Sequence, residues 1–112
     1  MKMIKVEELH KEVNGNSYTR STYMVGRYEV CIDDVTYADG RTRRSISVTE
    51  PYESGCYLPK IYYNEDVFGE KAPDFSIQTT SYGALNSEEF QKFIADQNEA
   101  LEVVETLKKE LL

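Results

Sequence analysis

The chain has 112 residues, of which 40% are hydrophobic and 29% charged, with a formal net charge of −7. That length and mix suit one globular domain with a core of its own, and they exclude a chain too polar to fold. A pI near 4.7 argues against wholesale binding of nucleic acid, because the overall field repels phosphate.

The opening stretch, Met1-Lys2-Met3-Ile4-Lys5-Val6-Glu7-Glu8, turns acidic before an apolar run can form. No segment reaches the roughly 18 apolar residues of a membrane span, so a cytoplasmic protein without a membrane partner is expected. Residues 3–13 predict a short helix, with Ile4, Val6, Leu9 and Val13 on one side and Asn14-Gly15 as its stop. His10 is the only histidine, and it lies on the charged side of that helix. It has no second histidine to share a metal and no orienting partner for acid–base work, so it reads as a solvated side chain.

From Ser17 to Tyr82 the chain is rich in Tyr, Thr, Val and Ile and is cut by Gly, Pro and Asp turns. This pattern predicts strands near 17–25, 27–37, 41–50, 56–63 and 74–82. The hairpin around Ala38-Asp39-Gly40 admits two registers. A two-residue Asp39-Gly40 loop sets Ile32 opposite Ser47, whereas a three-residue loop with Gly40 left-handed pairs Tyr37 with Arg41. The second places Val30 against Val48, Ile32 against Ile46 and Asp34 against Arg44, which gathers the apolar residues on one face and is the expected register. Cys31 and Cys56 are too few and too far apart for a zinc cluster. Neither sits at a basic helix start that would activate a thiol, so both are expected as free packing residues.

The C-terminal segment predicts one long helix. Asn86 is its N-cap, Glu89 completes a capping box, and Leu85 and Phe90 occupy the positions of a hydrophobic staple. Phe90, Phe93, Ile94, Leu101, Val104, Leu107 and Leu111 fall on one stripe, with Glu88, Glu99, Glu102 and Glu110 pointing away. The expected fold class is α+β: a single domain, residues 1–112, in which an antiparallel β-meander of four to five strands is covered by this helix.

Charge is segregated along the chain. Every arginine (Arg20, Arg27, Arg41, Arg43 and Arg44) lies in the first fifty residues, where the sum is zero, and acids dominate from residue 51 onward. Two candidate surfaces follow. The first is acidic and centres on the long loop from Asn64 to Pro73, with Glu65, Asp66, Glu70 and Asp74 beside Tyr62. These acids lack the alternating spacing and central glycine of a calcium loop, so no metal is expected and the reading is protein binding. The second is the hairpin tip with Tyr37, Arg41 and Arg43, where a guanidinium offers a two-pronged contact to phosphate or carboxylate. Nine tyrosines are more than one sheet face can bury, so several are expected at the surface. No residue set supplies a nucleophile with its base, so no enzyme and no cofactor is expected.

The run Gln78-Thr79-Thr80-Ser81-Tyr82-Gly83-Ala84-Leu85-Asn86-Ser87-Glu88-Glu89, ending a β-meander and leading into one amphipathic helix, resembles small proteins of phages and conjugative elements. Among these it is similar in architecture and charge to anti-CRISPR proteins that inhibit Cas9-type nucleases. The resemblance implies action by binding; a monomer or homodimer is expected. The partner it implies is a host protein with a basic nucleic-acid-binding surface, which the acidic helix face and the 64–74 loop would occupy. The arginine hairpin leaves open a contact to guide RNA, or an alternative role as a nucleic-acid-binding accessory protein.

Overall fold

A computed structural model describes residues 1–51, 53, 55–65, 72–80 and 82–112. Among them, six strands and one helix follow one another: β1 (Met3–Val13), β2 (Asn16–Val25), β3 (Tyr28–Thr36), β4 (Thr42–Thr49), β5 (Lys60–Asn64), β6 (Asp74–Gln78) and α1 (Ser87–Leu111). The first four form an antiparallel meander in sequence order, and β5 and β6 pair separately as a two-stranded sheet. The α+β class holds, with two sheets in place of one.

The predicted N-terminal helix is replaced by β1, the longest strand of the sheet. Asn14 and Gly15 both adopt positive φ (53° and 81°) and close a two-residue hairpin between Val13 and Asn16. That turn matches the right-handed twist of the flanking strands, and Asn-Gly is its strongest signal. The pair that looked like a helix stop is a reversal, and the β-rich partner β2 overrides the helix propensity of Glu7-Glu8-Leu9. The register shifts between Lys5 and Glu7, leaving Val6 as an extra bulged residue.

The three-residue loop at Ala38-Asp39-Gly40 is present. Tyr37 N–H donates to Arg41 O at 2.8 Å, and Gly40 N–H to Tyr37 O at 2.9 Å, with Gly40 at φ 88°. Val30 meets Val48, Ile32 meets Ile46 and Asp34 meets Arg44, as expected. The Arg44 guanidinium grips Asp34 through Nε and Nη2 at 2.7 and 3.2 Å.

Only half of the meander is covered. Val25, Tyr28, Val30, Ile32 and Ile46 face Ile61 and Phe75 of the small sheet and Ala100, Val103, Val104 and Leu107 of α1. Beyond Ile32 the same face turns polar: Thr19 and Ser17 on β2, and Asp34 and Thr36 on β3. The far half of the β1–β2 hairpin therefore has no apolar cover to attract, and the molecule extends to 57 Å along its long axis.

The helix turns a different face inward from the one its stripe predicted. Ala100, Val103, Val104 and Leu107 are buried, as is Asp96, whereas Leu101, Phe90 and Ile94 are exposed (49%, 53% and 43%). Phe93 is half-buried. The stripe was drawn too wide: 93, 96/97, 100, 103/104, 107 and 111 form one helical row, and Phe90, Ile94 and Leu101 form a second row beside it. Small Ala100 permits close approach of the backbone, and polar Asp96 belongs to the buried row because Arg27 meets it there.

Candidate interaction surfaces

Arg27, in the turn between β2 and β3, is the hub of the contact between sheet and helix. Its Nε donates to both Glu99 oxygens at 3.0 and 3.1 Å, Nη1 reaches Glu53 at 3.3 Å, and Nη2 binds Asp96. The other Asp96 oxygen accepts the backbone N–H of Tyr57 at 2.6 Å. The hydrogen bonds Arg27 donates to Glu99, and after them the one to Asp96, raise its pKa further above its ordinary value. Glu99 was expected to point away from the core, and the structure instead turns it toward this arginine. The cluster is satisfied within the fold and offers no free acid or base.

The capping box at the head of α1 is complete: Glu89 N–H donates to Asn86 Oδ1 at 2.8 Å and Asn86 N–H to Glu89 Oε1 at 3.2 Å. The second Glu89 oxygen accepts the Tyr57 hydroxyl at 3.2 Å. Burial, with this carboxylate next, raises the Tyr57 phenol above its ordinary pKa. Tyr57 anchors an aromatic cluster, with Tyr82 edge-on at 4.9 Å and Phe93 at 6.3 Å; Phe90 stacks on Phe93 at 6.2 Å. Tyr82, Leu85, Phe90 and Phe93 line a groove of about 460 Å³, open to solvent. Ile94 and Leu101 continue its apolar strip along the helix. Glu105, one turn beyond Leu101, is exposed beside that strip with Glu102 next to it, and Glu88 and Glu110 are exposed farther round the helix. This aromatic groove went unnoticed in the sequence, although Tyr82 and Phe90 flank the N-cap on either side.

Glu65 is exposed at the end of β5 and Tyr62 is exposed on that strand. Asp66 and Glu70 lie outside the described residues. Asp74 receives the backbone N–H of Phe75 at 2.7 Å and pairs with Lys108 of α1 at 3.1 Å, and both hold its carboxyl below the usual range. Asp74 thus ties β6 to the helix. Among the described residues, no group of three or more potential ligands could hold a metal ion.

At the arginine hairpin, Arg41 lies over the Tyr37 ring at 5.4 Å and pairs with Asp39 at 2.6 Å. Arg20 is held by Asp33 through two bonds of 2.7 and 3.1 Å. Arg43 leaves the tip for the uncovered face of the sheet, in one cross-strand row with Val35, Tyr18 and Lys11. Leu9, Val13, Tyr18 and Val35 line a shallow concavity of about 640 Å³ there. His10 Nδ1 lies 3.1 Å from Thr19 Oγ1 on the opposite face. Cys31 and Cys56 are free thiols. No helix among the described residues is long and apolar enough to cross a membrane. Neither a family model, nor a curated protein, nor a solved structure matches the chain.

Proposed function

We propose that the protein is a non-enzymatic inhibitor from a phage or mobile element that binds a host protein through the exposed face of α1. The observation carrying this reading is the aromatic groove of Tyr82, Phe90 and Phe93, continued by Ile94 and Leu101, with exposed Glu105 and Glu102 at the Leu101 end. An apolar strip beside carboxylates suits a partner surface that carries arginine or lysine. A guanidinium stacks on an exposed ring and reaches a neighbouring acid in the same contact. Basic surfaces of this kind belong to proteins that handle nucleic acid, and the partner class proposed is a CRISPR-associated nuclease of Cas9 type. The helix takes over the role that the sequence had divided between helix and loop.

The test is a pull-down from bacterial lysate with and without nuclease treatment, alongside a cleavage assay with a guide-loaded Cas9-type nuclease. Capture that survives nuclease treatment, together with inhibited cleavage, supports the proposal. Capture abolished by nuclease treatment rejects it. In that case the row of Lys11, Tyr18 and Arg43 favours the alternative, a nucleic-acid-binding accessory protein that stacks bases on Tyr18. Steep weakening of naked RNA binding with salt marks that second reading.

A further inference from the structure

Strand β1 is an edge, because the sheet order places β2 on one side of it and, among the described residues, no strand on the other. It is eleven residues long and carries no proline. Its apolar residues Ile4, Val6 and Leu9 are 54–59% exposed. Natural sheets shorten such edges or guard them with bulges and charge. Here the bulge sits at Val6, and the residues from Glu7 to Val13 run on in regular register with β2. Because Val13 and Asn16 close a two-residue hairpin, alternation along the strand directs the N–H and C=O groups of Glu8, His10 and Glu12 away from β2. The edge is open to another strand.

The charges on β1 select which strand. A second copy related by a two-fold axis pairs residues that share a face, so the axis passes through a residue. Centred on Leu9, the pairing sets Glu7 against the partner copy's Lys11 and Glu8 against its His10, each twice, with Leu9 meeting Leu9. A centre on Glu8 brings Glu8 against its own copy, and a centre on His10 brings Glu8 against Glu12. A centre on Lys11 brings two lysines together. Like charges directly opposite one another destabilise a strand pair and opposite charges stabilise it. Among these neighbouring registers, only the one centred on Leu9 sets Glu7 opposite Lys11 and places no like charges opposite one another.

We propose that the protein forms a two-fold dimer in which β1 of each copy pairs antiparallel with β1 of the other, centred on Leu9. The two four-stranded sheets become one eight-stranded sheet. Glu8 and His10 supply the hydrogen-bonded pairs, and Leu9 packs on its copy at the axis. The uncovered faces of the two sheets lie on the same side, so their concavities join across Leu9.

Sedimentation of the intact chain at roughly 100 µM, a range suited to a modest edge interface, reads the association. The expected result is a monomer–dimer equilibrium. Lys11→Glu weakens it by at least about tenfold, since two opposed pairs become like-charged. The double variant Glu7→Lys with Lys11→Glu restores it. Leu9→Cys forms an intermolecular disulfide under mild oxidant, because a non-hydrogen-bonded pair on the axis brings Cα atoms to about 4.5 Å. Leu101→Cys, equally exposed on the helix, does not. Circular dichroism of each variant monitors the fold. A chain that stays monomeric, a dimer indifferent to Lys11→Glu, a double variant that fails to reassociate, or equal cross-linking at residue 101 overturns the proposal.

Discussion

Replacing Arg27 by Met keeps most of the side chain's length and removes its charge, so the change isolates the contribution of the ion-pair hub. Three carboxylates lose their shared partner. Glu53 is about half exposed and turns to water at little cost. Glu99 is a quarter exposed and Asp96 only a tenth, and Asp96 keeps a single protein donor, the Tyr57 N–H. Breaking a fully buried pair from one side costs about 3–5 kcal/mol, and an exposed pair contributes about 0–1 kcal/mol. Arg27 is itself about one-third exposed, so its removal falls between these limits, at about 2–3 kcal/mol. For a chain of this length that lowers Tm by roughly 10 °C. Thermal and urea unfolding followed by circular dichroism measure it. Asp96→Asn in the Arg27→Met background removes the stranded charge, so the double variant should be less destabilised than the sum of the two by about 1 kcal/mol or more. A cost below about 0.5 kcal/mol for Arg27→Met, or strict additivity with Asp96→Asn, would refute the reasoning.

Leu107 is fully buried, and Leu107→Ala should cost about 3–4 kcal/mol in urea unfolding, whereas Leu101→Ala on the exposed row should change stability by less than about 0.5 kcal/mol. Gly40 sits at φ 88° with open space around it, so Gly40→Ala should cost on the order of 1 kcal/mol through backbone strain alone, read by the same assay. The Asp74 carboxyl is held below its ordinary range by Phe75 N–H and Lys108, so the folded state binds that proton less readily than the unfolded chain. Its contribution is complete above the ordinary aspartate range and disappears as pH falls through the lower folded value. Lys108→Met should therefore flatten the acid limb of the stability–pH curve and leave the neutral-to-basic limb unchanged, measured by urea unfolding across a pH series.

Several of these features were readable from residues alone. The β3–β4 register followed from asking which loop length collects Val30, Ile32, Ile46 and Val48 on one face, since a slip by one residue scatters them. The head of α1 followed from Asn86 and Glu89, because a capping box is local chemistry that tertiary contacts rarely override. The first strand was misread because Ile4, Val6, Leu9 and Val13 fit a helical spacing, and its alternation is broken at Val6 by the bulge. Asn14-Gly15 was the signal that should have decided the matter. Helix periodicity alone placed Leu101 inside, because apolar residues occupy two adjacent rows. What separates the rows is Arg27 in the β2–β3 turn, which draws Asp96 and Glu99 inward, and such a contact, 69 positions away in sequence from Asp96, leaves no local trace. The acidic loop and the arginine tip were chosen on charge alone. The pairing of Asp74 with Lys108 depends on where the helix comes to rest, whereas that of Arg41 with Asp39 is local to the hairpin tip.

The central claim is that the exposed face of α1 recognises a basic protein surface, and a titration against a guide-loaded Cas9-type nuclease, with cleavage as the second readout, tests it most directly. Three chains are compared: the unaltered protein, Glu102→Lys with Glu105→Lys, and Phe90→Ser with Ile94→Ser. All four altered residues are exposed, so the changes leave the buried row intact. The account predicts inhibition by the unaltered chain and a loss of affinity of at least about tenfold in each variant, because like charges and a missing apolar strip both oppose the contact. No binding by the unaltered chain, or equal affinity in all three, would contradict it.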